Sequence, residues 1–244
     1  MRVMHRSIYI GFDRRERDAF HVARASIQQN LSQSIPIHAV TFDDLSARGL
    51  YRRPTEWRND HRYDMLSVRG DYDGVCSTDF ALTRFFVPLL ARKGLALFMD
   101  CDILARADVV ELFRHCEEAN PDKALWCVKH DYRPAESQKM DGQSQTSYPR
   151  KNWSSVMMFN CGHPANRSLS LDYLNSATGR DLHAMSWLAD CDIGGLDDRG
   201  NALVGHSKVS DPALAHFTLG TPDMPGYERC DYADEWFAVR DRLQ

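Results

Sequence analysis

A chain of 244 residues, 43% hydrophobic and 26% charged, has the size and balance of one sizeable globular domain rather than two ordinary ones. Its net charge of −4 argues against a partner held mainly through phosphate-backbone electrostatics, so nucleic acid is not an expected ligand. No apolar run reaches the roughly 18 residues of a membrane helix, and charge interrupts the first residues before a signal-peptide core could form, so no transmembrane segment and a cytoplasmic location are expected. The seven cysteines are odd in number and lack a C-x-x-C pair, which points to reduced thiols filling a core rather than to zinc or disulfides.

In chain order, residues 7–12 form a short apolar run ended by Gly11 and Asp13, as in a buried first strand followed by a loop. Phe20, Ala23, Ile27 and Leu31 then recur at helical spacing over residues 17–31, and a β-branched run over residues 35–40 completes a βαβ beginning. Periodicity dissolves across residues 46–76, a stretch too long for an ordinary connection and therefore functional, mobile or locally folded. Residues 79–91 return to helical spacing, with Arg84 embedded among apolar neighbours and Pro88 expected to kink the helix. Five consecutive apolar residues, 95–99, predict a strand covered on both faces of a mostly parallel sheet.

Beyond Asp102, a short amphipathic helix carries Val109, Val110, Leu112 and Phe113, and a strand is predicted over residues 124–128. Residues 129–151 are polar and could be a binding loop or a surface excursion. A further central strand follows at residues 155–159, then a helix over residues 164–174 with proline near its start, and a helical pattern over residues 183–189.

The chemistry concentrates at Asp100 and Asp102. Two carboxylates one residue apart, directly after a buried strand, occupy the place where open α/β sheets bind ligands, beyond the strands' carboxyl ends. Mn²⁺ and Mg²⁺ favour such oxygen ligands, with substrate phosphates and water completing the shell. A lone D-x-D more often caps a turn; the apolar strand before this one and Ile103 and Leu104 after it favour metal and diphosphate binding. Arg84, embedded in apolar sequence, needs an acidic partner, either a metal-site carboxylate, a donor phosphate or an unrelated structural acid.

These residues, in this order, resemble the GT-A glycosyltransferases, and among them the glycogenin-like retaining family 8 and its bacterial relatives. The resemblance implies an α/β GT-A fold over the whole chain, with a donor-binding half over about residues 1–128 and a sugar and acceptor half over about residues 129–244. It implies a glycosyltransferase that moves a sugar from a nucleotide-diphosphate donor, a UDP-sugar by analogy, to a hydroxyl on a glycan, lipid or small molecule with retention of configuration. Gly11, Phe12 and Asp13 look like the loop on the uracil side, Arg84 like the arginine that approaches the donor, and Asp100 and Asp102 like the metal ligands. His216 resembles the third metal ligand, with a satisfied strand-end histidine as the alternative, and Gly220 belongs to the motif that contacts phosphate.

Asp190-Cys191-Asp192 falls where the family has an acid or amide near the anomeric carbon, so Asp190 or Asp192 is the candidate catalytic residue, with a solvated helix end as the alternative. Tyr148, Lys151, Asn152 and Ser154 form a polar cluster ahead of a strand, suited to orienting donor sugar or acceptor, and His130 could face the sugar; surface loop is the alternative for each. The chain departs from the family pattern where its asparagine before the sugar-site strand is displaced by one place and where the late histidine motif is shortened and lacks lysine. Two rivals remain at this point: a haloacid-dehalogenase-type phosphatase with Asp100 as nucleophile, and a non-catalytic sugar-nucleotide binding module.

Overall fold

The computed structural model describes residues 5–119, 121–130, 150 and 152–243. Strand β1 (Arg6–Gly11) leads into helix α1 (Arg17–Asn30), which returns the chain to β2 (Ile37–Val40), parallel to β1. Phe20, Ala23 and Ile27 lie on the buried face of α1, so the periodicity in the sequence is the face that packs on the sheet. A short helix α2 (Phe42–Ala47) follows, capped by the Thr41 hydroxyl, which accepts the Asp44 N–H.

The aperiodic stretch after α2 is locally folded. It holds an antiparallel hairpin of β3 (Thr55–Arg58) and β4 (His61–Asp64), fixed by buried charge rather than by an apolar stripe. Arg53 donates from two nitrogens to both Asp64 carboxylate oxygens at 2.9 and 2.7 Å, and to the Leu174 carbonyl at 2.7 Å. Arg62, also buried, donates to the Tyr51 hydroxyl at 2.5 Å and to the Asp79 carbonyl, with its guanidinium over the Phe42 ring.

The predicted helix over residues 79–91 is instead a 3₁₀ turn (Thr83–Phe86) running into a five-residue helix α3 (Val87–Ala91). Pro88 has no N–H to donate, so it sits in the first turn of α3, where none is needed, rather than kinking a longer helix. Strand β5 (Leu95–Met99) is fully buried, as its sequence requires, and β6 (Ile103–Ala105) begins a few residues on. Helix α4 (Val110–Glu118) leads to β7 (Leu125–Cys127), and β8 (Val156–Asn160) follows the 3₁₀ turn Trp153–Ser155.

The expected helix over residues 164–174 is divided. A 3₁₀ turn (Pro164–Ser168) ends at Leu169, and the Ser170 hydroxyl caps a new helix α5 (Leu171–Ser176) by accepting the Tyr173 N–H. Helix α6 (Gly179–His183), capped by Thr178, stops where the helical pattern of residues 183–189 was expected to begin, because Met185 takes a left-handed conformation with φ of 52°. Strands β9 (Ile193–Gly195), β10 (Ala202–Leu203) and β11 (Leu214–His216) and helix α7 (Ala233–Asp241) complete the described chain.

The main sheet runs β2-β1-β5-β8-β7-β9 and is parallel except for β8, which is antiparallel to both β5 and β7. A smaller sheet, β10-β11-β6, flanks it. One large apolar core fills the space around the main sheet, and a satellite core of Val22, Ala25, Leu104, Ala215, Phe217, Trp236 and Val239 joins α1 and α7 to the small sheet. No helix among the described residues is long and apolar enough to cross a membrane.

Candidate metal centre and cleft

Strand β5 ends at Met99 and delivers Asp100 and Asp102 to the mouth of a cleft of about 1070 Å³. The small sheet supplies the third group. Strand β11 pairs antiparallel with β6, placing His216 opposite Ile103, and the Phe217 N–H donates to the Asp102 carbonyl at 2.9 Å. One ligand atom each from Asp100, Asp102 and His216 therefore lies within 4.8 Å of the others. His216 Nε2 is 3.4 Å from Asp102 Oδ2. Ligands on an octahedral Mg²⁺ or Mn²⁺ stand about 3 to 4 Å from one another, so two carboxylates and an imidazole at this spacing fit such an ion with little movement.

Burial and mutual repulsion oppose ionisation of the clustered acids. Burial pushes the Asp100 carboxyl up to about 6, with the Arg84 guanidinium at 2.8 Å opposing that rise and the Asp102 charge adding to it. Glu16, in the loop between β1 and α1, reaches the same region and accepts the Cys101 thiol at 3.1 Å. Burial, and then the nearby Asp102 charge, push Glu16 up to about 8. His183 is pushed down to about 3 by burial and then Arg84, so it is a neutral imidazole.

The dipeptide Ser154-Ser155, just before β8, joins these parts. Because β8 runs opposite to β5, its beginning lies beside the end of β5, and Asp100 N–H donates to the Ser155 carbonyl at 2.9 Å. Arg84 donates to the Ser154 carbonyl at 2.9 Å, and the Ser154 hydroxyl is 2.9 Å from His183 Nδ1. The Ser155 hydroxyl donates to the Asn152 carbonyl and accepts from Asn201 Nδ2, both at 2.9 Å.

Of the residues singled out from the sequence, Arg84, Asp100, Asp102, Asn152, Ser154, His216 and Gly220 are brought together on the cleft wall. Gly220 packs where a Cβ would come within 2.7 Å of the Tyr227 ring. Gly11, Phe12 and Asp13 lie behind the wall. Phe12 packs edge-on against Phe20, and the Asp13 carboxylate is fully buried, bonded to Arg15 and to the Asp79 N–H. It is Arg15 and Glu16 from this loop that face the cleft.

His130 is not part of the wall; its carbonyl accepts the Trp153 indole N–H at 3.0 Å, and burial pushes its imidazole down to about 4. Asp190 is exposed and paired with Arg150, Asp192 caps the Ala189 N–H at 3.3 Å, and neither lines the cleft. Tyr148 and Lys151 lie outside the described residues. Sequence reasoning missed Glu16, Ser155, His183 and Asn201. An acid in the loop beyond the carboxyl end of β1 was a usable signal for Glu16; the others are placed by contacts distant in sequence.

Solved structures carry the same architecture. The bifunctional glycosyltransferase WbbM, in its apo form, superposes with a TM-score of 0.62 at 14% identity, covering 98% of this chain and 50% of that one. Galactosyltransferase LgtC, in complex with donor and acceptor sugar analogues, gives 0.59 at 14% identity over 97% of this chain and 95% of that one. Glycosyltransferase GlyE of Streptococcus pneumoniae TIGR4 gives 0.57 at 12% identity over 96% and 60%. The chain thus spans about half to three-fifths of WbbM and GlyE and nearly all of LgtC. Its fold is GT-A, the glycosyltransferase fold of these structures.

Protein CDI of Arabidopsis thaliana is 40% identical over 237 residues, covering 94% of this chain and 83% of that protein. The chain belongs to the family of Protein CDI. No family model matches the sequence.

Proposed function

We propose that the chain is a metal-dependent glycosyltransferase that moves a sugar from a nucleotide-diphosphate donor to a hydroxyl acceptor. The observation that carries this reading is the convergence of Asp100, Asp102 and His216 at the mouth of a large cleft formed where β5 and β8 meet. A Mn²⁺ or Mg²⁺ ion held there would neutralise charge on the donor diphosphate as it becomes the leaving group. Arg84 holds Asp100 in place and adds positive charge on the donor side. The Asn152 side-chain amide nitrogen is buried with no hydrogen-bond partner among the described residues, which leaves it able to donate to a sugar hydroxyl at the cleft wall.

The finer parts of the proposal come from the family 8 resemblance: a UDP-sugar donor, transfer with retention, and acceptor attack on the face from which the diphosphate departs. Proton NMR of the product tests the stereochemistry; a product anomer opposite to the donor's would overturn retention. The phosphatase alternative required Asp100 as an available nucleophile in a different fold, whereas Asp100 is paired with Arg84 in a GT-A framework.

Thermal-shift screening of nucleotides and nucleotide sugars, with and without Mn²⁺, tests the assignment, because a ligand of the folded state stabilises it by RT ln(1 + [L]/Kd). Asp102→Asn is expected to abolish the Mn²⁺-dependent part of the shift while leaving the ligand-free melting point within about 2–4 °C of wild type, the span of a change near 1 kcal/mol in a chain of this size. An unaltered shift in that variant would remove the site from the mechanism.

A further inference from the structure

The side chains of His216, Asn201 and Ser155 and the Asn152 carbonyl form a hydrogen-bonded line whose direction is fixed at one end. The Asn152 carbonyl can only accept, so the Ser155 hydroxyl spends its single proton there, at 2.9 Å. Ser155 Oγ must then accept from Asn201, which puts the Asn201 amide nitrogen toward Ser155 at 2.9 Å and turns Asn201 Oδ1 toward His216 Nδ1 at 3.0 Å. An amide oxygen has no proton to give. His216 Nδ1 is therefore the donor in this pair, which in the neutral ring leaves the lone pair on Nε2, the nitrogen that lies 3.4 Å from Asp102 Oδ2.

We infer that Asn201 is a positioning residue for the metal centre, holding His216 in the one neutral tautomer whose Nε2 can ligate a divalent cation. The inference rests on the proposed metal-dependent reading of the site. Asn201 is fully buried and His216 nearly so, so neither ring rotation nor water can easily substitute for the amide. The same line reaches the backbone just before β8, where the Ser155 carbonyl receives the Asp100 N–H; Asn201 thereby ties the imidazole to the frame that holds the first acid. A ligand supplied by the three-residue middle strand of the small sheet is in this way registered against one supplied by the main sheet.

Two variants separate positioning from simple support. Asn201→Leu keeps the volume and removes the acceptor; Asn201→Asp keeps an acceptor for Nδ1–H and removes the donor to Ser155. Free Mn²⁺ is titrated by electron paramagnetic resonance against the whole chain, and the imidazole tautomer of the metal-free protein is read by ¹⁵N–¹H NMR. The expected results are an Nδ1–H tautomer in wild type, a loss of about 10- to 100-fold in Mn²⁺ affinity for Asn201→Leu, and affinity at or above wild type for Asn201→Asp.

Wild-type affinity in Asn201→Leu, equal losses in both variants, or an Nε2–H tautomer in wild type would each overturn the inference while leaving the metal site standing. Failure of wild type to bind Mn²⁺ at all would overturn the site itself and the inference with it. Should Asn201→Leu not fold, Ser155→Ala replaces it: freeing the amide to turn over is expected to weaken Mn²⁺ binding and to populate the other tautomer, and an unchanged tautomer there would count against the proposal.

Discussion

Asp100 lies against a guanidinium and still resists ionising, because burial outweighs the attraction of one cation at 2.8 Å. Glu16 is a stronger case, facing Asp102 and Asp13 with Arg15 as the opposing charge. Its carboxyl protonates near pH 8 when folded and near 4.5 when exposed, so between those values the metal-free folded protein binds more protons than the unfolded chain. Stability of the metal-free protein should fall as pH rises through that window, with Asp100 contributing to its lower part up to about 6. Urea denaturation across pH 4.5 to 8 should show Glu16→Gln flattening the slope; a slope equal to wild type would show that Glu16 ionises normally. Asp100 and Asp102 were legible from sequence because a run of apolar residues announces a buried strand and two acids after it have few structural uses. Glu16 and Asn201 were not, since the Cys101 and His216 atoms they meet lie 85 and 15 residues away, beyond any local pattern.

Helices and strands were readable in proportion to how much local chemistry decided them. Strand β5 and helix α1 emerge from apolar run and spacing alone, whereas α3, α5 and α6 were shortened by choices the pattern hides: Pro88 entering at a first turn, Ser170 opening a new cap, Met185 turning left-handed. The hairpin β3/β4 is the extreme case. Its sequence is rich in charge and lacks an apolar run, and it folds because Arg53 and Asp64 find each other in a buried pair at 2.7 Å. Arg53→Met would leave Asp64 buried and unpaired, at a cost of about 3–5 kcal/mol in equilibrium urea unfolding. A cost under 1 kcal/mol would mean that Asp64 is adequately held by Ser67 alone. Strand β1 has its own tight place, where Gly11 meets the Phe80 ring and an added Cβ would stand 2.4 Å from it. Gly11→Ala should destabilise the protein by about 1–3 kcal/mol through forced repacking, read as a lowered urea midpoint with unchanged m-value.

Across the whole molecule, the fold class and the order of the central strands' chemistry followed from the sequence, but the reversed direction of β8 did not, since a fully buried strand is apolar whichever way it runs. The satellite core was equally hidden, because α7 carries only a few apolar residues between charged ones, without a clean stripe. That core matters to the cleft: Ala215 and Phe217 flank His216, and Trp236 closes over them. Trp236→Ala should cost about 3–5 kcal/mol of stability and weaken Mn²⁺ binding in parallel, whereas calorimetry showing full metal affinity in the destabilised variant would separate the two cores functionally.

The pairing of β11 with β6 carries one more consequence, for the order of events during synthesis. The acids leave the ribosome well ahead of the imidazole, so for a time a nascent chain carries two close carboxylates without the third group of the grip. Cation capture therefore becomes possible only once β11 has been made and paired with β6, and a chain cut short ahead of that strand would be a metal-blind fragment however well its main sheet had formed.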